Sequence, residues 1–403
     1  MIAVILSFVL KYLLPLLALG FAIRVLSRSL WIVVPPFTYS LLGRSIAAPE
    51  LSLRWLLLSL FALGFALLTL RFSGWGSVAV VVSVLSLLLC SLPLVQFPVA
   101  HRQMEQAMQQ TLGHSLAQIS PETRARLRPA PFNAYQALRG ISVPEVEVSR
   151  GIVFAEPADE RLRLNRYHAP IKGKRPTLVM IHGGGWRSGS ADSDELFSRY
   201  MAAQGYTAIS ITYRLAPRHR FPAQLEDVRA ALSAIQAHAD EWQVDLERVA
   251  LVGRSAGGTL ALLAAYQTTP FPIRAVVSYY APVDLTRAYL EPPVPNPADI
   301  HQSALAFLGG TPDEKPELYQ QASPASYIRR SLPSSLFIYA GRDHLVRNEF
   351  AQAFAKQLQA VGNQVVYLEV PWAEHAFDAL FHGLGSQLTL YHLERFLAGV
   401  MLL

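Results

Sequence analysis

Between Val78 and Phe97 the chain runs for twenty residues without a charged side chain. A hydrocarbon core ~30 Å thick takes about 20 residues of helix to cross, and inside it only helices or closed barrels satisfy their backbone polar groups. That run therefore reads as a transmembrane helix. Leu56 to Leu70 is shorter but bracketed by Arg54 and Arg71, whose long side chains can snorkel to the two interfaces. Ile2 to Ile23 also qualifies, with Lys11 in its middle and Pro15 expected to kink it. A cleaved signal peptide is the alternative for this first stretch. No basic segment precedes it and no convincing small-residue cleavage site follows, so a retained helix is expected. Leu30 to Leu42, broken by Pro35-Pro36, reads as an interfacial or re-entrant piece, or as a short fourth span. Residues 1–100 are thus expected to form a membrane anchor of about three transmembrane helices.

The charges agree with that division. Residues 1–100 hold six basic side chains and one acid, Glu50, whereas the remaining 303 hold 29 basic and 28 acidic groups. The sequence pI near 9.4 comes from an apolar terminus dotted with arginines. It implies a lipid bilayer as partner and no nucleic acid. The segment carrying Arg24, Arg28, Arg44 and Arg54 is the most basic, and the positive-inside rule puts it in the cytoplasm. With three spans the chain after Phe97 lies there too, in an integral, multi-pass protein. A fourth span, or loss of the first, would reverse this. Cys90 is the single cysteine, so no intrachain disulfide or cysteine-based metal cluster is expected.

From His101 the composition becomes that of a water-soluble protein. Met104, Met108, Leu112, Leu116 and Ile119 recur at helical spacing, and the apolar face they make is expected to pack on the domain, with a lid over an active site or contact with lipid as alternatives. Prolines 121, 129, 131 and 144 then break the chain, so residues 101–144 read as a helical linker or cap. Thereafter strands and helices alternate in the manner of an α/β sheet. Eight strands are predicted, near Glu145–Phe154, Arg161–Tyr167, Thr177–His182, Thr207–Thr212, Arg248–Val252, Ala275–Tyr280, Ser335–Tyr339 and Gln364–Val370. The first two alternate in polarity and suit an antiparallel edge, while the later apolar runs suit a parallel sheet covered on both faces. Helices are expected near Leu225–His238, Gly257–Tyr266, Glu349–Val361 and Gln387–Val400. Residues 145–403 form the expected catalytic domain, with a cap insertion at about 282–330.

Gly253-Arg254-Ser255-Ala256-Gly257-Gly258 follows the apolar strand Val249-Ala250-Leu251-Val252 and precedes an Ala/Leu-rich helix. A sharp strand-to-helix turn of this kind holds a serine hydroxyl exposed, and small neighbours are needed because side chains would collide in it. A serine needs a base to take its proton, and the base needs an orienting carboxylate. Asp343 follows the seventh strand and His375 the eighth, in the order Ser, Asp, His. His344, His382 and Asp378 are nearby competitors. His182-Gly183-Gly184-Gly185-Trp186, after the third strand, supplies glycines whose N–H groups can converge on a developing oxyanion. No Lys-Ser/Thr pair follows, which excludes a Walker phosphate loop. No two-histidine, one-carboxylate pattern calls for a metal, and no cofactor is expected.

These motifs, with Tyr213-Arg214-Leu215-Ala216-Pro217, Phe221 to Val228, Ala322-Ser323-Pro324 and His375-Ala376-Phe377, resemble the α/β-hydrolase superfamily over roughly residues 145–400. Within it they are similar to hormone-sensitive-lipase-like and feruloyl-esterase-like carboxylesterases. The resemblance implies an α/β-hydrolase fold with an eight-stranded, mostly parallel sheet, here preceded by a transmembrane helical region. It implies Ser255 as nucleophile, His375 as base and acid, and Asp343 as its orienter. Gly184, Gly185 and Ala256 would form the oxyanion hole, His182, Trp186 and Arg254 would border the substrate, and Asp227 and Tyr213 would be structural. Arg254 departs from the hormone-sensitive-lipase branch, which has Asp before the nucleophile. Trp186 is shared with feruloyl-esterase-like and prenylcysteine-methylesterase-like enzymes, the latter also carrying N-terminal membrane helices.

The expected activity is therefore a membrane-anchored serine hydrolase that cleaves a small-molecule or lipid-like ester through an acyl-enzyme. A prenylcysteine-methylesterase-like enzyme is the alternative, as is a transacylase, amidase or peptidase on the same residues. Competing alcohols or amines separate these, because a transferase yields a new ester where a hydrolase yields free acid. A catalytically dead binding protein is disfavoured by the intact Ser255, Asp343 and His375.

Overall fold

The computed structural model describes residues 1–170 and 173–401. Eight strands form one sheet: β1 (Glu147–Ala155), β2 (Leu162–His168), β3 (Arg175–Ile181), β4 (Thr207–Ile211), β5 (Val244–Arg254), β6 (Ile273–Tyr279), β7 (Ser334–Ala340) and β8 (Val365–Val370). Their order across the sheet is β1-β2-β4-β3-β5-β6-β7-β8. β1 pairs antiparallel with β2 and β2 with β4, while the pairs from β4 to β8 are parallel. The expected α/β-hydrolase sheet is thus borne out, antiparallel edge included. β3, β4, β6, β7 and β8 are nearly or wholly buried, as their continuous Val, Ile and Leu runs require of strands with helices on both faces.

Helices Ala223–Ala237, Ala256–Ala265, Asn348–Ala360 and Leu384–Met401 match the predicted four within a turn. Glu195–Ala203, between β3 and β4, had no sequence expectation. Its residues Phe197, Tyr200 and Met201 enter the core from a polar-looking stretch.

Among the described residues three helices are long and apolar enough to cross a membrane: Val9–Ile32, Ser52–Thr69 and Gly74–Ala117. The first lies further along the chain than the predicted Ile2–Ile23. Its π-helical turn Val9–Leu13 directly precedes Pro15, whose missing N–H would otherwise break the hydrogen-bond ladder. Where the helices meet, the side chains are small: Ala18, Ala66 and Ala79 pack together, and the Ser86 hydroxyl bonds those of Ser29 (2.9 Å) and Ser59 (2.7 Å). Close backbone approach through small residues, with hydroxyl bridges, is how helices associate where lipid leaves no hydrophobic drive between them. Their large apolar side chains point outward, among them Leu17, Phe61, Leu68, Val81 and Leu88. Beyond residue 100 the exposed large apolar side chains, among the described residues, are only Tyr135, Leu138, Val153, Leu196, Leu290 and Val294.

The junction differs from what the sequence suggests. Leu30–Leu42 is not one piece: Leu30–Ile32 closes the first long helix, and the stretch after Pro35-Pro36 is a separate element. It forms a twelve-residue helix, Tyr39–Glu50, about 18 Å long and packed against the sheet domain. Arg54, at the start of the second apolar helix, donates from Nη2 to the Leu138 carbonyl (2.8 Å) and from Nε to that of Ala137 (3.2 Å). Residues 101–144 give no side chain to the cavity described below. Helix Gly74–Ala117 crosses position 100 unbroken and lays Met104, Met108, Leu112 and Leu116 into the main core, beside β8 and helix Leu384–Met401. That apolar face packs on the domain, as its helical spacing leads one to expect.

Glu50 seals the junction. It is buried, and its Oε2 accepts the N–H groups of Gly385 (2.8 Å) and Ser386 (3.3 Å) at the start of helix Leu384–Met401. A Cβ on Gly383 or Gly385 would strike this carboxyl. Burial pushes the Glu50 pKa up to about 8, against the helix amides that favour the anion. Between pH 4.5 and about 8 the folded chain keeps a proton that the unfolded chain has lost, so stability falls as pH rises through that window. The loss is on the order of 5 kcal/mol at its full extent. Glu50→Gln is expected to remove this component: the variant's Tm relative to wild type should rise from pH 5 to pH 9. A pH-independent difference would show that Glu50 is not the titrating group.

Candidate active site

β5 ends in Gly253-Arg254 and helix Ala256–Ala265 begins one residue after Ser255, which sits at φ 51° and ψ −122°. A non-glycine residue at positive φ is strained, and such strain persists where surrounding structure holds it. The neighbours show what does so. A Cβ on Gly257 would lie 2.1 Å from the Ile181 carbonyl oxygen, and one on Gly253 would lie 2.2 Å from that of Gly257. Gly257→Ala is therefore expected to spread β3 from the turn. Loss of serine reactivity together with a lower Tm would be the readout, and a variant with unchanged Tm and reactivity would contradict it.

β7 and β8 deliver the two partners from their C-terminal ends. His375 Nε2 lies 2.9 Å from Ser255 Oγ, and His375 Nδ1 lies 2.8 Å from Asp343 Oδ2. The other Asp343 oxygen accepts the N–H groups of Leu345 (2.8 Å) and Val346 (2.7 Å), which fixes the carboxylate's direction. The competitors are engaged elsewhere: His344 with Glu374 (2.6 Å), His382 with Arg54 (3.2 Å), and Asp378 with Arg254 and Tyr280.

Gly184 and Gly185, both at positive φ, and Ala256 line the same cavity as Ser255. Among the described residues none supplies an acceptor to their N–H groups. Trp186 also lines the cavity, stacked on Phe307 with ring centres 4.1 Å apart. His182 does not: it is buried beneath the glycine loop, stacked on Tyr213 at 4.2 Å, with its carbonyl accepting the Tyr213 hydroxyl (2.9 Å). A histidine opening a glycine loop had suggested a pocket residue, but the close turn at Gly189 folds the chain over its ring. Burial lowers its pKa to about 4, which keeps the ring neutral.

Arg254 borders the cavity with its charge already partnered. It lies 3.1 Å from Asp194 and 2.5 Å from Asp378, with its guanidinium over the rings of Phe197 and Tyr279. Asp194 had no sequence expectation; an arginine inside the tight Gly253–Gly258 turn, in need of a counter-ion, was the available signal. Glu374 was likewise missed. Its buried carboxylate accepts the N–H groups of His344 (2.9 Å) and His375 (3.0 Å) and the Ser45 hydroxyl (3.1 Å), tying both catalytic-loop candidates to helix Tyr39–Glu50.

The cavity measures about 1110 Å³. Residues of the 282–330 insertion, including Leu285, Tyr289 and Ile300, line it, and Tyr39, Leu42 and Ile46 contribute from helix Tyr39–Glu50. No group of three or more His, Cys, Asp or Glu side chains suited to a metal ion occurs among the described residues.

The family BD-FAE matches residues 166–358. Esterase LipC of Mycobacterium tuberculosis is 31% identical over 279 residues, covering 65% of this chain and 68% of that protein. The probable carboxylic ester hydrolase LipM of the same organism is 31% identical over 249 residues, covering 57% of this chain and only 56% of its own length. Among solved structures, an esterase of Pyrobaculum calidifontis superposes with a TM-score of 0.56 at 22% identity over 75% of this chain and 97% of that one, a likeness of fold. Thermogutta terrifontis esterase 2, phosphonylated by sarin, gives 0.50 at 26% identity over 59% and 88%. Fold and relatives together define an enzyme that hydrolyses carboxylic esters. Within that class, the chain belongs to the carboxylesterase family of α/β-hydrolases that includes LipC.

Proposed function

We propose that this carboxylesterase works through Ser255, His375 and Asp343 and is held to a membrane by its N-terminal helices. The observation that carries the reading is the pair of contacts on His375, 2.9 Å to Ser255 Oγ and 2.8 Å to Asp343, at the wall of a cavity large enough for an ester. Ser255 Oγ attacks the ester carbonyl while His375 takes its proton, and Asp343 holds the imidazole in the needed tautomer. The N–H groups of Gly184, Gly185 and Ala256 receive the oxyanion, each worth on the order of 100-fold or more in rate. His375 returns the proton to the departing alcohol, and water, activated by the same imidazole, frees the acid and regenerates Ser255.

Three helices of sufficient length, outward apolar side chains and small-residue contacts support a multi-pass anchor. Arg24, Arg28 and Arg44 support a cytoplasmic catalytic domain by the positive-inside rule. The substrate class that suits this arrangement is a lipid-like or amphipathic ester.

The test is labelling of the detergent-solubilised chain with a fluorophosphonate probe. The Thermogutta relative reacts with an organophosphonate, sarin. Labelling of wild type and its loss in Ser255→Ala and His375→Ala would support the reading; an unlabelled, folded wild type would overturn it.

A further inference from the structure

We infer that helix Tyr39–Glu50 supplies an apolar subsite for the hydrocarbon chain of a single-chain amphipathic ester, which reaches Ser255 from the membrane surface past Tyr39. This rests on the reading of Ser255 as the nucleophile.

Tyr39, Leu42 and Ile46 follow one another at helical spacing on a single face, and all three line the cavity that holds Ser255 and His375. Ala379 and Phe381, from the segment after His375, line it too. The helix cannot swing freely, because the Ser45 hydroxyl bonds Glu374 beside the histidine (3.1 Å) and Glu50 caps helix Leu384–Met401. The wall it presents is thus as fixed as the site. The lining also holds polar side chains, among them Arg187, Ser188, Asp192 and Glu195, beside the apolar Leu42 and Ile46. One chain and one polar group match those two kinds of lining.

The route follows from the exposed end of that wall. Leu42 is buried, but Tyr39 is 70% exposed and Phe37 is 65% exposed, at the point where helix Val9–Ile32 ends. A tyrosine in such a place, ring apolar and hydroxyl polar, marks the headgroup level of a bilayer. A chain held in water loses roughly fourfold in population per methylene relative to lipid. An entrance at the leaflet lets the chain pass from one apolar surroundings to another without that loss.

The experiment uses the full chain, with active sites counted by fluorophosphonate titration. kcat/KM is measured for p-nitrophenyl butyrate and laurate, and for alkyl acetates of matched lengths. Leu42→Trp and Ile46→Trp are expected to lower the long-to-short ratio at least tenfold in one series, the one whose chain occupies the subsite. Leu88→Ala, on the outer face of helix Gly74–Ala117, serves as control and should leave the ratio within twofold. An unchanged ratio in both series, or equal loss at every length, would overturn the subsite. For the route, Tyr39→Asp should slow laurate hydrolysis at least fivefold more in phosphatidylcholine vesicles than in detergent micelles; equal effects would overturn entry from the membrane. Failure of the nucleophile reading would be seen separately, as wild-type protein that the probe does not label.

Discussion

Ser255→Ala is expected to lower kcat for ester hydrolysis by about 10⁶-fold, and His375→Ala by a similar factor, because serine and imidazole act as one unit. Asp343→Asn should cost on the order of 10⁴-fold. With two backbone N–H groups pinning Asp343 Oδ1, an asparagine would keep its oxygen there and turn its NH2 toward His375 Nδ1, favouring the wrong tautomer. Each variant should keep the wild-type Tm to within a few degrees. Hydrolysis in Ser255→Ala above a hundredth of wild type would assign the chemistry elsewhere.

Replacing Arg254 with methionine is expected to give the largest loss of stability. The guanidinium is enclosed with Asp194 and Asp378, and its burial is offset by those two carboxylates and two aromatic faces. Methionine would fill much of the space but leave both acids without a cation, and breaking a buried pair from one side costs about 3–5 kcal/mol. A fall in Tm of more than about 5 °C should follow. Adding Asp194→Asn and Asp378→Asn should restore part of it, since uncharged amides need no counter-ion. A wild-type Tm in the single variant would mean that water, not Arg254, compensates the acids. Activity should fall as well, because Asp378 accepts the Tyr280 hydroxyl and the Tyr280 ring lies 4.5 Å from His375.

The six later strands were legible because a parallel sheet buried on both faces demands unbroken Val, Ile and Leu runs, and the two edge strands because one-sided burial demands alternation. Ser255 was legible for a related reason: the contacts that forbid a Cβ at Gly253 and Gly257 dictate glycine in the letters themselves. What could not be read depends on partners far along the chain. Ser45 and Glu374 are separated by 329 positions, and Glu50 and Gly385 by 335. Nothing local in Tyr39–Glu50 distinguishes a cavity wall from an interfacial piece. His182 illustrates the opposite error: its neighbourhood in sequence was that of the site, but its ring is turned beneath the loop.

Helix Gly74–Ala117 is 44 residues long, close to 66 Å at 1.5 Å per residue. One half packs with the apolar bundle and the other with β8 and the C-terminal helix. A tether of that kind transmits rotation. Each residue added near Phe97 would turn that half of the shaft by about 100° and shift it ~1.5 Å, against the Ser45–Glu374 and Glu50–Gly385 contacts that hold the domain from a second helix. Under the proposed anchoring in a bilayer, the enzyme would not tumble to find its ester: it would drift in two dimensions with its mouth at constant height. Its encounter rate is then governed by lateral diffusion and surface density, and dilution of the surrounding water leaves it unchanged.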